Sequence, residues 1–338
     1  MSNKPRDLGR IEAAGTPFQI GYRLGKQGLE SVHRHLLSSN IWQQVILQAK
    51  ARNVQQMSLM VQEQFPRIWE ELEGLAEGLE LPLEHVVAWN SRGDLLASVP
   101  DGCTTVALPG ANPVVAHNED GLPFFRGACF VADVRPDDGP AYSSFCYPGS
   151  IPGHTFAITE TGMVQTVNNL RLIDAPLGIP RMVVGRAMLG CCCIESVIDM
   201  LKTVPTCGGF HVLLGQRDPK SGMRLVSIEF GAGALETHEI STPFAHANHA
   251  LLLERSQIMT ASSRDRQKRA QDLVSENRAL PLAILRDTGG HGLPIRRDQP
   301  TDPDNENTLA TGVFEFCEDK VKWTIYDTLS DDSFYTNR

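Results

Sequence analysis

Near residue 100 the hydrophobic pattern of this chain changes period, and that change constrains its fold more than any other feature. Before it, Met57, Met60, Val61, Phe65, Ile68, Trp69, Leu72, Leu75, Ala76 and Leu79 recur at helical steps, the spacing that puts apolar side chains on one helix face. Pro66 marks a helix start or a kink within that run, and Gly21 to Leu37 reads as helix too. After it come short β-rich runs bounded by turn residues: Thr104 to Leu108, Pro113 to His117, Cys129 to Val134, Thr155 to Thr159, Val164 to Val167, His211 to Leu214, Leu225 to Phe230, Thr311 to Phe316 and Val321 to Tyr326. Two helices are expected among them, Ala187 to Leu201 and Ser256 to Asn277. Strands and helices in blocks predict an α+β fold rather than a strict βαβ alternation.

With 338 residues, 41% hydrophobic and 21% charged, the chain can bury a full core as one large domain or two packed ones. A net charge of -9 argues against a nucleic-acid partner, which needs clustered cations. The one basic cluster, Arg264 to Arg269, is interrupted by Asp265 and Gln267 and reads as a solvated helix face. The N-terminus has no apolar signal region, and no stretch approaches the roughly 18 apolar residues of a membrane span. The expected location is therefore cytoplasmic, where the eight cysteines, at 103, 129, 146, 191, 192, 193, 207 and 317, stay reduced and serve mostly as small core residues.

Several local patterns have plain explanations. Adjacent helical residues point apart, so Cys191-Cys192-Cys193 reads as core packing rather than a metal site. Asp302-Pro-Asp304-Asn-Glu306 lacks the glycine and terminal glutamate of a calcium loop, Val313 standing where that glutamate belongs, and reads as a solvated loop within the disorder-like tract Arg297 to Asn307. Gly231-Ala-Gly233 reads as a hairpin turn, because Glu236 occupies the third glycine position of a dinucleotide fingerprint. Ser150, in Gly149-Ser150-Ile-Pro-Gly153, has the wrong spacing for a nucleophile elbow. Asp101-Gly102-Cys103-Thr104-Thr105 sits where the helical part gives way to strands. The glycine lets the backbone bend so that the thiol reaches the preceding carbonyl. From these residues alone a buried structural cysteine stays the simpler reading.

The resemblance to a known family points elsewhere. Asp101-Gly102-Cys103-Thr104-Thr105, followed by Ala116-His117-Asn118-Glu119-Asp120, resembles the acyl-coenzyme A:6-aminopenicillanate acyltransferase family of N-terminal-nucleophile hydrolases, related to bile salt hydrolases and penicillin V acylases. The likeness extends to Gly21-Tyr22-x-x-Gly25, Glu71-Leu72-Glu73-Gly74-Leu75-Ala76-Glu77-Gly78, Gly162-x-Val164-x-x-x-Asn168-Asn169 and His246-Ala247-Asn248-His249. It implies two stacked antiparallel sheets between helical layers, with Cys103 opening a central strand.

The same resemblance implies self-cleavage between Gly102 and Cys103 into an N-terminal segment, 1–102, and a catalytic portion, 103–338, that stay associated. Cys103 would be the nucleophile and Asp120 would orient its α-amine. Asn169 and Asn248 would serve as oxyanion and substrate-positioning donors, with Arg171, Arg296 or Arg297 as the family's arginine. Of these, Arg171 is carried forward as substrate-binding, and Phe124 and Phe125 are candidates to line an acyl pocket. A free α-amine, with a pKa of about 7.7–8.0, can take the thiol proton and return it to a leaving amine, so no cofactor or metal is required. The expected partner is a small acyl-amide or acyl-thioester, with water favoured over an amine as acceptor. Homo-oligomer formation stays open. Two rivals predict an uncut chain: a hydrolase using Ser150, and a catalytically silent binding protein.

Overall fold

The computed structural model describes residues 8–96, 102–218, 222–276, 280–299, 301–327, 333 and 335–336; Asp101 of the candidate motif and Asn277 of the last expected helix lie outside them. The chain opens with a strand absent from the sequence expectation, β1 (Gly9–Gly15), followed by helices α1 (Pro17–Ser31), α2 (Asn40–Ile46), α3 (Arg52–Gln64), α4 (Pro66–Leu79), α5 (Leu83–Trp89) and α6 (Arg92–Leu95). A single π-turn over Val32–Leu36 prolongs α1. Thr16 caps α1 reciprocally with Gln19, and Pro17 sits in its first turn, a start signal legible in the sequence. Pro66 starts α4.

The paired glycines of this region have a packing reason. A Cβ on Gly21 would stand 1.9 Å from the Glu71 carbonyl oxygen, one on Gly74 2.0 Å from that of Phe18, and one on Gly78 2.4 Å from that of Tyr22. Helices α1 and α4 therefore touch backbone to backbone, which any side chain there would prevent.

Beyond Gly102 the strands are β2 (Gly102–Leu108), β3 (Val114–Gly121), β4 (Phe130–Pro136), β5 (Tyr142–Cys146), β6 (Phe156–Thr159), β7 (Val164–Leu170), β8 (Gly209–Asp218), β9 (Gly222–Gly231), β10 (Ala234–Glu239), β11 (Phe244–His246), β12 (Asn307–Phe316), β13 (Val321–Tyr326) and β14 (Tyr335–Thr336). They form two sheets, ordered β1-β4-β5-β6-β7-β8-β9-β10 and β11-β2-β3-β12-β13-β14. All described strand pairings are antiparallel except β1 with β4, which run parallel. That pairing also ties the first segment to the rest, since β1 enters the larger sheet as its edge.

The sheets stack face to face. Phe156 of the larger sheet meets Phe314 and Trp323 of the smaller one edge-on, at ring distances of 6.3 and 6.2 Å, and each such fully buried ring contributes about 1.5–3 kcal/mol. Helices cover both outer faces. On the smaller sheet, α9 (Ala261–Ser275) and α10 (Pro281–Leu285) bury Ala270, Val274, Ile284 and Leu285 against Val106, Ala116 and Val313. On the larger sheet lie the N-terminal helices with α7 (Arg181–Met188) and α8 (Ile194–Thr203). The result is an α+β molecule layered αββα.

The expected helix Ala187 to Leu201 is thus two helices, broken over Leu189–Cys193. The cysteine triplet lies in that break, with Cys192 exposed and Cys191 and Cys193 half-buried, so core packing does not describe it. Cys103, Cys129, Cys146 and Cys207 are buried, Cys317 is exposed, and no disulfide joins any of the eight. Gly231-Ala-Gly233 is the expected turn, between β9 and β10. No helix among the described residues is long and apolar enough to cross a membrane.

Candidate active site

Cys103 is the second residue of β2, and its pairing with β3 sets Gly102 opposite Asp120, Cys103 opposite Glu119 and Thr105 opposite His117. Side chains alternate along a strand. Cys103, Thr105, His117 and Glu119 therefore point between the sheets, whereas Thr104, Asn118 and Asp120 point towards α9 and α10. Cys103 is only 3% exposed.

The Gly102-Cys103 peptide is gripped by polar groups from distant parts of the chain. The Cys103 N–H donates to Asn248 Oδ1 at 2.8 Å. Arg266, on α9, donates through Nη2 to the same oxygen at 2.7 Å, and through Nη1 to the Cys103 carbonyl and to Thr104 Oγ1 at 2.9 Å. Asn248 is itself fixed: its Nδ2 donates to the Asn169 carbonyl at 3.2 Å, and its N–H donates to Ser263 Oγ at 2.9 Å. Burial lowers the Arg266 pKa, opposed by the charges of Asp120 and Glu306.

Two carboxyl groups flank Gly102. A Cβ there would stand 2.4 Å from Glu306 Oε2 and 3.2 Å from Asp120 Cβ, so the residue before the cysteine is glycine for want of room. Asp120 Oδ1 accepts from Thr308 Oγ1 at 2.6 Å, while Oδ2 is buried without a hydrogen-bond partner among the described residues. Burial raises its pKa, countered by Arg266 and the Thr308 hydrogen bond. Glu306 accepts from Arg297 Nη1 at 2.8 Å and lies 3.5 Å from Arg171 Nη2. Burial pushes its pKa up to about 7, against the pull of both arginines.

On the inner face, Cys103 Sγ lies 3.8 Å from Glu119 Oε2, which is 3.1 Å from His117 Nε2. Tyr147 donates its hydroxyl to Glu119 Oε1 at 2.9 Å. Ligand atoms of Cys103, His117 and Glu119 all lie within 4.8 Å of one another, the one such group among the described residues. They are already joined by hydrogen bonds, Cys103 to Glu119 and Glu119 to His117.

The structure sorts the expected residues. Cys103, Asp120, Asn248 and the Asn169 backbone come together at Gly102-Cys103, and the Asn169 side chain is buried beside them with Oδ1 lacking a hydrogen bond among the described residues. Arg171 and Arg297 meet on Glu306, while Arg296 turns to Asp298 at 2.7 Å. Phe125 is a core residue packed edge-on against Tyr147 at 5.4 Å, and Phe124 lies between it and His35. Ser150, the rival nucleophile, is buried and accepts from Arg92 at 3.4 Å.

Two expectations are corrected. The basic cluster Arg264 to Arg269 is not uniformly solvated: Arg266 is buried and is the residue the sequence reading missed, although its place four residues after Ser262 on a helix was the available signal. The acidic tract is not a solvated loop either. Asp302 and Asp304 pair with Arg297, and Glu306 is buried, because the tract must neutralise Arg297 inside the protein. A cleft of about 630 Å³ between α1, β1 and β4, lined by Phe18, Tyr22 and Arg135, shares no residue with the Cys103 site.

In this αββα molecule a strand-borne cysteine is thus held at its backbone, its N–H donating to Asn248 Oδ1 and its carbonyl accepting from Arg266. The model of the acyl-coenzyme A:6-aminopenicillanic acid acyl-transferase family matches residues 108–328, well over half of the chain, and the chain belongs to that family. One curated relative is the beta-alanyl-dopamine/carcinine hydrolase of Drosophila melanogaster, 24% identical over 217 residues, which are 56% of this chain and 55% of that protein. The chain thus matches about half the length of that relative. Among solved structures, a variant of the conjugated bile acid hydrolase from Clostridium perfringens matches with 12% identity and a TM-score of 0.44, covering 70% of this chain and 92% of that one. Penicillin V acylase from Agrobacterium tumefaciens matches with 14% identity and a TM-score of 0.39, covering 68% and 84%.

Proposed function

We propose that this chain is a self-processing cysteine amidohydrolase. The Cys103 thiol adds to the Gly102 carbonyl carbon, the peptide C–N bond breaks as its nitrogen takes a proton, and water hydrolyses the resulting thioester. Cys103 becomes the N-terminus of the 103–338 chain. The observation that carries the reading is the bond from the Cys103 N–H to Asn248 Oδ1: the same oxygen that holds the amide can hold the α-amine once it is free. The buried Asp120 Oδ2 beside Gly102, which has no partner among the described residues, is a second acceptor for that amine.

In turnover the amine takes the thiol proton, the thiolate attacks a linear amide of a small N-acyl compound, and the amine returns the proton to the leaving group. Donors such as the Asn248 side-chain amide stabilise the oxyanion by about 3 kcal/mol each. Cys103 is buried in the uncut chain, so cleavage also has to open the site. The pairing of β1 with β4 keeps fragments 1–102 and 103–338 together. The relative named as a beta-alanyl-dopamine/carcinine hydrolase supports water as acceptor and makes β-alanyl amines the first substrates to test.

Intact mass of purified protein is the experiment. Two chains, 1–102 and 103–338, are expected, with Cys103→Ala uncut, folded and inactive. An active protein in one piece would sink the mechanism. Transfer to an amine is tested by partitioning: an acceptor that saturably diverts the acyl group to amide at low millimolar concentration would reassign the enzyme as a transferase.

A further inference from the structure

The first event of self-cleavage poses a problem that turnover does not. In the uncut chain the Cys103 nitrogen is an amide, so the α-amine that serves as base in the mature enzyme does not yet exist. Another group has to take the thiol proton. We propose that Glu119 and His117 form a proton relay that accepts it, Glu119 receiving the proton from Cys103 Sγ while passing another to His117 Nε2. The proposal rests on the reading of Cys103 as the residue that opens its own peptide bond.

Hydrogen-bond directions carry the argument. Asn168 Nδ2 donates to the His246 carbonyl at 3.2 Å, which fixes Asn168 Oδ1 as the atom facing Thr105. Thr105 Oγ1 lies 2.7 Å from that oxygen, which can only accept, so the single hydroxyl hydrogen of Thr105 points to Asn168. His117 Nδ1, 2.8 Å from Thr105 Oγ1, must then carry its own hydrogen and donate. Burial holds the His117 pKa down at about 3, so the ring is neutral at rest and Nε2 bears a lone pair. Glu119 Oε2, 3.1 Å from Nε2, completes that bond as a protonated acid, and its remaining lone pair faces Cys103 Sγ at 3.8 Å.

The step balances without a co-reactant. The S–H proton moves to Glu119 Oε2, the Glu119 proton moves to His117 Nε2, and the products are a thiolate, a neutral carboxyl group and an imidazolium. The imidazolium persists only while negative charge sits on sulfur or on the tetrahedral oxygen. When the Gly102–Cys103 C–N bond breaks, the relay runs backwards and the proton ends on the departing nitrogen. At rest the relay is uncharged, which is what allows it to lie between two sheets with Glu119 and His117 buried. Once the amine is free it is the nearer base, and the relay's task is finished.

The test follows the full-length chain after a pulse of cell-free translation, using intact mass to time the appearance of fragments 1–102 and 103–338. Glu119→Gln and His117→Gln are each expected to slow cleavage about a hundredfold, the usual scale of a lost acid–base group. The stall precedes the thioester, so hydroxylamine, which cleaves thioesters, should release no fragments from the variants' uncut chains. Wild-type cleavage speed in either folded variant, or fragments released by hydroxylamine, overturns the relay. If Glu119→Gln does not fold, His117→Gln, which leaves the carboxyl group in place, decides alone. A wild-type chain that never cleaves is a distinct outcome, removing the self-processing reading on which the relay rests.

Discussion

Arg266 Nη2 and the backbone N–H of Cys103 share one acceptor, Asn248 Oδ1, at 2.7 and 2.8 Å. The guanidinium also reaches the Cys103 carbonyl, so one planar fork orients both the asparagine and the cysteine's own backbone. Lysine keeps the charge but not the fork. Arg266→Lys is expected to lower kcat/KM and the rate of self-cleavage by about 10²–10³-fold, the scale of a lost oxyanion-hole donor, measured by steady-state kinetics and intact mass. A variant within threefold of wild type in both would show that Arg266 only packs.

Gly102 has no room for a side chain, because a Cβ there would meet Glu306 Oε2 at 2.4 Å. Gly102→Ala forces the carboxylate or the strand to shift. Overpacking of this kind costs about 1–3 kcal/mol, which for a chain of this size lowers Tm by about 1–4 °C. Scanning calorimetry of the uncut Cys103→Ala background, with and without Gly102→Ala, reads the effect free of cleavage. An unchanged Tm contradicts the crowding.

Glu306 makes stability depend on pH in a direction opposite to that of an exposed ion pair. Its carboxyl pKa is raised from 4.5 to about 7, so between those values the folded state holds more protons than the unfolded one. Stability is therefore full below about pH 4.5 and falls as pH rises towards 7, by on the order of 3 kcal/mol from this group. Glu306→Gln, which cannot ionise, should flatten the Tm profile between pH 5 and 7. An equally steep profile in the variant would assign the slope to other groups.

The cysteines divide by exposure. Cys192 and Cys317 are exposed, whereas Cys129 and Cys146 are buried, and burial raises the Cys146 thiol to about 12. Maleimide labelling of folded protein, mapped by peptide mass, should modify Cys192 and Cys317 first and spare Cys129 and Cys146. Cys192→Ala should change stability by less than about 0.5 kcal/mol and leave activity intact. Early labelling of Cys146 would contradict the layered core.

The sequence by itself determined what is local or periodic. Helical spacing placed α3 and α4, Pro66 their junction, and β-rich runs most of the strands from β2 onwards, because amphipathic period follows from which face a segment buries. Resemblance around Gly102-Cys103 singled out Cys103 and Asn248, which the fold brings into hydrogen-bond contact. Strand β1 was not legible, since Gly9–Gly15 is short and pairs in parallel with a strand more than a hundred residues away. Nor could the sequence rank its arginines. Arg264, Arg266 and Lys268 are close neighbours on one helix, yet only Arg266 faces inward, where Asn248, Thr104 and the Cys103 carbonyl await it. The same holds for Glu306, which reads as part of an acidic loop until the fold brings Arg171 and Arg297 against it. Burial and partnership of a charge are set by elements distant in sequence, so tertiary structure decided which charged residues belong to the site.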